Sequence, residues 1–377
     1  MRRKAVSALM GACLSLAAAH PASAQDPVAV ADRAASTIAA TRQFNTADAV
    51  NEEGLVEIGG VPQWMSVRGR HRSNPILLFL HGGPGFTASP VSYWYMRDWE
   101  EYFTVVQWDQ RGAGKTYAAS DPDAIASTLS VERLVEDTEA VIGHLRRTYG
   151  QDRIVLMAHS FGTVLGIRVA QRHPEWLYAY VGMGQFVDFQ RSERIGYEAT
   201  LAAARAAGNA EAVTQLTAIA PFPDAAQPER NLQNLGTERF WLATYGGYYR
   251  PGGFGHNAAI AALNPAETAQ TLAARDAGQA LSGAAMWGEL GETSLWDAQH
   301  FDIPMVMLQG RHDLGTSSAL AEQWFAGVQA PAKRLVWFED SAHMVYEEEP
   351  GKLLVTLVTT VLPLTRPVAG TAPAQRP

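Results

Sequence analysis

The sequence predicts an α/β fold, a mostly parallel, doubly wound sheet interrupted by an inserted helical cap. Short continuous apolar runs alternate with helix-like segments in both halves of the chain, which is typical of parallel β-α-β units. More than a hundred Ala-rich, mostly helical residues separate the two halves. Ligands bind at the carboxyl ends of the strands in open parallel sheets, so we expect this insertion to cover that edge.

The elements follow from the pattern in chain order. Two alternating runs meet at Gly59-Gly60 within residues 54–69, which indicates a hairpin. Apolar residues at helical spacing predict a helix over 130–149, and a second helix follows residue 160. Continuous apolar runs predict six buried strands, at 75–80, 103–108, 153–158, 178–184, 303–310 and 334–339.

The first 24 residues have the pattern of an export signal. Residues 2–4 are basic, and the apolar run Ala5–Ala19 is shorter than the roughly 20 residues of a membrane span. Small residues at 22–24 predict cleavage before Gln25 and an exported, periplasmic or secreted protein. An uncleaved anchor, or a lipid attached at Cys13, is the alternative.

The complete division of the chain follows from these patterns. A short helix is expected before the sheet, and a helix near 352–362 closes it. The final residues are rich in Pro and Ala and predict disorder. The predicted segments are a signal peptide (1–24), a lead-in (25–50), a first core part (51–184), a cap (185–300), a second core part (301–362) and a tail (363–377).

Composition restricts the functional class. Hydrophobic residues make up 47% of the 377, enough for a substantial core. The single cysteine lies in the signal, which excludes disulfides and thiolate chemistry in the mature chain. Removing the signal takes the net charge from −8 to −11, which disfavours nucleic acid and anionic membranes. We expect a small-molecule or short-peptide substrate, no cofactor, metal or nucleotide, and no membrane span in the mature chain.

A nucleophile is predicted in the segment AHSFG, residues 158–162, between a strand and a helix. Hydrolases with α/β sheets place a serine on such a turn, usually as G-x-S-x-G, with small flanking residues. The turn brings the Phe161 N–H to the helix start, where it can stabilise an oxyanion. Ser160 is therefore the candidate nucleophile; the alternative is a plain helix N-cap.

The base and its orienting acid are expected after the last two strands. His343 follows the final strand and Asp313 the one before it, which gives the chain order Ser160, Asp313, His343 expected of this class. The competing candidates are His159 and His312 for the base, and Asp188 and Asp340 for the acid.

The glycine-rich segment HGGPG, residues 81–85, directly follows a predicted buried strand. Glycines let the backbone approach a reacting carbonyl and direct an N–H at it. We therefore expect Gly82 or Gly83 to supply the second oxyanion donor; a plain Gly-Pro turn is the alternative.

A second glycine-rich stretch, QWDQRGAGKTY at 107–117, superficially matches a phosphate-binding loop. That loop requires a glycine five residues before Gly114, where this chain has Asp109, and a carboxylate there repels phosphate. No amphipathic helix follows to face the anion. The stretch predicts a structural turn, which Asp109 and Arg111 fix by local hydrogen bonds or an ion pair.

Together these motifs resemble the proline iminopeptidase branch of the α/β-hydrolase superfamily, over about residues 50–185 and 300–362. The resemblance implies a serine peptidase, or a related hydrolase, that removes an N-terminal residue, often proline, from peptides or arylamides. The motifs that carry it are HGGPG (81–85), DQRGAGKT (109–116), AHSFG (158–162), GRHD (310–313) and AHM (342–344).

The cap departs from the family pattern. Members that bind a free α-amine use cap glutamates, and no glutamate here lies in a closely matching segment. Substrate-binding candidates are Glu193 and Glu198, the later Glu289 and Glu292, and the aromatic Trp241 and Tyr245. The sequence thus predicts an exported serine hydrolase of the aminopeptidase type. A carboxylic ester hydrolase and a non-catalytic binding protein of the same fold are the alternatives.

Overall fold

The computed structural model describes residues 27–250, 252 and 255–366. The predicted signal peptide and residues 367–377 of the predicted tail lie outside them. Helix α1, Pro27–Thr41, precedes the sheet. Within the described ranges, every helix is too short or too polar to cross a membrane.

The sheet has eight strands in the order β1-β2-β4-β3-β5-β6-β7-β8. The β1–β2 hairpin turns at Gly59-Gly60, and β2 pairs antiparallel with β4, whereas all pairs from β4 to β8 are parallel. This mostly parallel sheet confirms the predicted fold class. The strands are β1 Val50–Ile58, β2 Val61–Gly69, β3 Ile76–Leu80, β4 Thr104–Trp108, β5 Ile154–His159, β6 Leu177–Met183, β7 Met305–Gly310 and β8 Lys333–Phe338.

Helices cover both faces of the sheet, so its central strands are fully buried and read as continuous apolar runs. Capping sets the helix ends: the Ser130 hydroxyl accepts a hydrogen bond from Arg133 N at the start of α5, and Gly150, with φ +65°, ends it. The core helices are α2 Ser89–Tyr95, α3 Gly114–Ala118, α4 Pro122–Ala126, α5 Val131–Tyr149, α6 Gly162–Arg172, and, after the insertion, α12 Ser318–Gly327, α13 Val345–Glu348 and α14 Pro350–Thr356.

Single turns complete the core. They are the 3-10 turns Trp99–Glu101, Pro174–Trp176 and Leu362–Thr365, and a π-helical turn, Leu357–Val361, that continues α14. The closing helix predicted near 352–362 is therefore three consecutive helical pieces.

Among the residues described between β6 and β7, five helices form the cap. The longest of them contacts the core directly: the Ser282 hydroxyl donates to the Gly112 carbonyl at 3.0 Å. A Cβ at Gly278 would lie 2.6 Å from the same carbonyl oxygen, so a small residue is required there. The cap helices are α7 Phe189–Ala206, α8 Ala210–Ala218, α9 Pro228–Thr244, α10 Asn257–Ala262 and α11 Ala269–Glu292.

The turn after β4 is fixed by two separate carboxylates. Asp109 accepts hydrogen bonds from Lys115 N and Ser89 Oγ, both at 2.8 Å, so it holds the turn locally as expected. Arg111 does not pair with Asp109. Its Nε donates at 2.7 Å to Asp137 on α5, where both side chains are buried, so Arg111 ties the turn to a helix.

We expect Asp137→Ala to lower the free energy of unfolding by about 3–5 kcal/mol, because it leaves the buried Arg111 guanidinium without a counter-charge. Asp137 also accepts a hydrogen bond from Gln63 Nε2 at 2.9 Å and forms an ion pair with Arg133 Nη2 at 2.8 Å. Denaturant unfolding measures the loss. The matched control is Glu136→Ala, which breaks an exposed pair with Arg133 and should cost at most about 1 kcal/mol. Equal losses for the two variants would contradict this account.

Candidate active site

Ser160 lies on a strained turn between β5 and α6. Its φ is +54°, a left-handed conformation that is uncommon for residues other than glycine and that clusters at functional sites. The turn is tight because a Cβ at Gly162 would lie 2.5 Å from the Leu80 carbonyl oxygen. Ser160 N donates to Met183 O at 3.0 Å, which fixes the turn to the end of β6. The partly exposed Ser160 side chain is thus held at the carboxyl edge of the sheet.

Asp313 and His343 meet at the same edge. Asp313 follows β7, His343 follows β8, and His343 Nδ1 lies 3.0 Å from Asp313 Oδ2, with both side chains buried. The carboxylate also accepts from Gln309 Nε2 at 3.0 Å, and from Thr316 N and Oγ1 at 3.0 and 2.8 Å. These contacts hold the imidazole with Nδ1 towards the Asp313 carboxylate, which leaves Nε2 free to accept a proton.

The Asp313 carboxyl is kept ionised. Burial favours its neutral form, but the His343 imidazole and the two hydrogen bonds from Thr316 outweigh burial and hold the pKa of Asp313 below its ordinary value. The His343 ring packs against the backbone of Gly184, where a Cβ would lie 3.1 Å from the imidazole. Among the described residues, His343 makes no hydrogen bond to the Ser160 hydroxyl, a contact that in free hydrolases often tightens only with substrate.

The HGGPG loop approaches Ser160 by its backbone. A Cβ at Gly82 would lie 2.8 Å from Ser160 Cβ, so only glycine fits beside the serine. Gly83 is exposed and has a φ of +118°. Within the described part of the chain, the Gly83 and Phe161 N–H groups donate to no other backbone group. Both are therefore available to a substrate oxygen.

His81 links this loop to the turn after β4. Gln110 N donates to His81 Nε2 at 3.2 Å, Gln110 Nε2 donates to the His81 carbonyl at 3.1 Å, and His81 Nδ1 lies 2.9 Å from Gly82 O. Burial lowers the pKa of His81 to about 4, so the ring is neutral and accepts at one nitrogen while it donates at the other. The DQRG motif thus supports the glycine loop.

The competing bases and acids lie in structural positions. His159 is buried, its Nε2 donates to His343 O at 3.0 Å, and burial lowers its pKa to about 3. Asp188 caps α7 by accepting from Arg191 N at 2.9 Å. His312 and Asp340 are exposed. The geometry therefore favours His343 and Asp313 over all four.

In the cap, Glu193 lies in a buried charged cluster that the sequence did not predict. Glu193 Oε1 and Glu238 Oε2 both contact the guanidinium of Arg239. Burial raises the pKa of Glu238 to about 7, with Arg239 opposing and Glu193 adding to the rise. Glu193 Oε2 and Glu238 Oε1 are buried, and neither has a hydrogen-bond partner among the residues described.

This cluster borders the loop that carries Asp313. A Cβ at Gly196 would lie 2.7 Å from the Leu314 carbonyl oxygen and 3.7 Å from Glu238 Oε1. Tyr248 packs against the imidazole, with its ring centroid 4.7 Å from that of His343, and the charges of Arg239, Asp313 and Glu193 act on its hydroxyl. Burial raises the pKa of Tyr248 to about 12, so its hydroxyl is neutral. The cluster therefore adjoins the Asp313 loop, and Tyr248 contacts the candidate base.

The other cap candidates make contacts outside this charged cluster. Glu198 and Glu292 are exposed, and Glu289 Oε2 accepts from Val131 N at 2.8 Å, which caps α5. Trp241 is buried in the small core of the cap, where its Nε1 donates to Gln215 at 3.0 Å, and Tyr245 stacks on it. These contacts are structural, and they give no support to a substrate-binding role.

Comparison with known proteins identifies the family of this chain. The family model of the alpha/beta hydrolase fold matches residues 75–350. The chain belongs to the α/β-hydrolase family. It is similar to the probable aminopeptidase YbaC of Bacillus subtilis (strain 168), with 29% identity over 80% of this chain and 93% of that protein. A probable proline iminopeptidase of Streptomyces coelicolor is 35% identical over 33% of this chain and 36% of its own length.

Solved structures show the same fold. The proline iminopeptidase-related protein TTHA1809 from Thermus thermophilus aligns with a TM-score of 0.60 and 22% identity over 84% of this chain and 99% of that one. An esterase from Exiguobacterium antarcticum aligns with a TM-score of 0.56 and 17% identity, covering 82% and 99%. The resemblance to the proline iminopeptidase branch is confirmed by these relatives, and the chain is a hydrolase of the α/β fold.

Glu238 predicts a pH-dependent stability. Its pKa is raised in the folded state, so the folded protein binds more protons than the unfolded chain between the ordinary glutamate value and about 7. The free energy of unfolding should therefore fall by about 2–3 kcal/mol from this group as the pH rises from 4.5 to 7. Glu238→Gln should remove that loss in denaturant unfolding at several pH values. The exposed Glu198→Gln should retain it, and an unchanged profile in Glu238→Gln would contradict the assignment.

Proposed function

We propose that this protein is a serine hydrolase that removes the N-terminal residue of a peptide through an acyl-enzyme. The observation that carries the proposal is the buried Asp313–His343 pair at the same sheet edge as the strained turn of Ser160. An imidazole oriented by an ionised carboxylate is the arrangement that activates a serine hydroxyl. The similarity to a probable aminopeptidase over most of both chains supports the peptide as substrate.

The reaction follows from these positions. Ser160 Oγ attacks the carbonyl carbon while His343 Nε2 takes the hydroxyl proton, and Asp313 stabilises the imidazolium. The N–H of Phe161 and that of Gly82 or Gly83 stabilise the oxyanion. His343 then gives its proton to the leaving amine, and the C–N bond breaks to leave an ester on Ser160. Water attacks this ester with His343 as base, which releases the acid and restores the hydroxyl.

The charged cluster of the cap supplies a site for the substrate's α-amine. Arg239 balances the charge of one carboxylate, so the partly ionised Glu238 leaves the cluster with some net negative charge near neutral pH. Two buried carboxylate oxygens of the cluster lack a partner among the described residues. Buried charges are stable only when paired, so an ammonium group fits the cluster. The cluster lies beside the Asp313 loop, which makes it the part of the cap suited to hold the N-terminal residue.

We expect Ser160→Ala to lower kcat by at least about 10⁴-fold, because no other hydroxyl occupies the turn between β5 and α6. Turnover of prolyl and alanyl arylamides measures the loss. Ser341→Ala is the matched control: its hydroxyl donates to Glu349 at 2.7 Å in the neighbouring histidine loop. Wild-type turnover in Ser160→Ala would refute the mechanism.

The proposed amine site predicts that a change at Glu193 affects substrates with a free α-amine and spares substrates without one. Glu193→Gln removes a negative charge from the cluster, so KM for an alanyl arylamide should rise about 10- to 100-fold. Hydrolysis of a short acyl ester, which has no amine, should stay within about twofold, as should both activities of the exposed control Glu198→Gln. A wild-type protein that cleaves esters but neither arylamide nor free-amine peptide would favour the carboxylic ester hydrolase instead.

We also propose that the protein is exported, with cleavage before Gln25. The supporting pattern is the basic, apolar and small-residue sequence of residues 1–24. N-terminal sequencing of the protein secreted or released from the periplasm should begin at Gln25. A chain that keeps Met1 in the cytoplasmic fraction would contradict export.

A further inference from the structure

A second buried charge, on the cap helix α11, takes no part in the mechanism above. Arg275 is 5% exposed, yet it forms no salt bridge with a described carboxylate. Within the described ranges its hydrogen bond runs from Nη2 to Asn257 Oδ1 at 2.6 Å, and its Nε is buried with no partner there. A buried guanidinium without a counter-charge destabilises the folded protein unless a bound anion pairs with it.

The surroundings of Arg275 provide only part of a counter-charge. Its guanidinium lies over the ring of Phe86, 4.2 Å from the centroid. The nearest acid on the network is Glu347, which accepts from Asn257 Nδ2 at 2.9 Å and so reaches Arg275 only through an amide. Burial raises the pKa of Glu347 to about 7, against the opposing effects of Asn257 and Arg275, so near neutral pH it is only partly ionised. The group formed by Arg275, Asn257 and Glu347, the Arg275 cluster, therefore has excess positive charge.

The Arg275 cluster adjoins the HGGPG loop and the helix that follows His343. Phe86 follows the HGGPG loop and donates its N–H to Gly82 O at 3.2 Å. Glu347 lies four residues after His343, on α13. Phe86 and Glu347 are each partly exposed, so the cluster is not sealed from solvent. Arg275 thus borders the HGGPG loop, whereas the Glu193–Glu238–Arg239 cluster borders the Asp313 loop.

We propose that Arg275 binds the free C-terminal carboxylate of the substrate, which makes this enzyme specific for dipeptides and tripeptides with both ends free. This inference rests on the proposed aminopeptidase function. The negative cap cluster holds the α-amine, the serine attacks the first peptide carbonyl, and Arg275 pairs with the carboxylate on the leaving portion. A guanidinium can hold a carboxylate by two parallel hydrogen bonds, a geometry that a neutral amide end cannot provide.

The test compares an alanyl dipeptide with a free C-terminus and the same dipeptide with a C-terminal amide. For the wild type, kcat/KM should be about 10- to 100-fold higher for the acid, mainly through KM. Arg275→Met should bring the two values within about twofold of each other, and Arg275→Lys should restore part of the preference. Arg146→Met is the matched control. Arg146 lies on α5, and its guanidinium also packs over an aromatic ring, that of Trp176.

Alanyl arylamide, which carries no carboxylate, separates this inference from the proposed function. Its hydrolysis by Arg275→Met at the wild-type rate shows that the variant is folded and that the aminopeptidase chemistry is intact. Equal kcat/KM for acid and amide in the wild type would overturn the role of Arg275, whether or not the variant folds. The same preference in Arg275→Met as in the wild type would overturn it too. If the wild-type protein does not hydrolyse alanyl arylamide, the proposed function itself is refuted.

Discussion

The close approach of three backbone segments at Ser160 is the constraint on which the rest of the site depends. The serine can occupy its left-handed turn only because Gly162 lets the turn pack on the end of β3 and Gly82 lets the glycine loop lie against the serine. The backbone N–H groups of Gly83 and Phe161 are left unpaired by other backbone groups of the described chain at this point. The strained turn therefore brings a partly exposed hydroxyl together with these backbone N–H groups.

The cap is fastened to the same loops. After α9 the chain passes the site, where the Gly247 carbonyl accepts from Leu314 N at 2.9 Å and the Tyr248 carbonyl accepts from His343 N at 3.1 Å. On the other side α11 packs on Gly85 and Gly112, so it touches the glycine loop and the turn after β4. The loops that carry Asp313, His343 and the HGGPG segment are thus each held partly by the cap, so under the proposed mechanism substrate binding at the cap is linked to the positions of the reacting groups.

How much of this the sequence could reveal depends on the range of the interactions. The fold class, and the meeting of Asp313 with His343, follow from apolar runs and from residues just past strand ends, which are local signals. Glu238 and Arg239 had no such signal, because a charged pair on a helix usually faces solvent, and only the packing of α7 against α9 buries it. Arg111 was expected to act within its own turn, but its partner Asp137 lies 26 residues away on α5. Pairings of this kind are set by tertiary packing.

Mapping the site of reaction with a fluorophosphonate probe tests the central claim most directly, because the probe phosphonylates a serine only where an oriented base and oxyanion donors activate it. The account predicts one phosphonate per chain, located on Ser160 by mass spectrometry of the digested protein. Modification should stop all hydrolysis and should be absent from His343→Ala. An active protein that remains unlabelled, or that loses activity through a label on a different residue, would contradict the account.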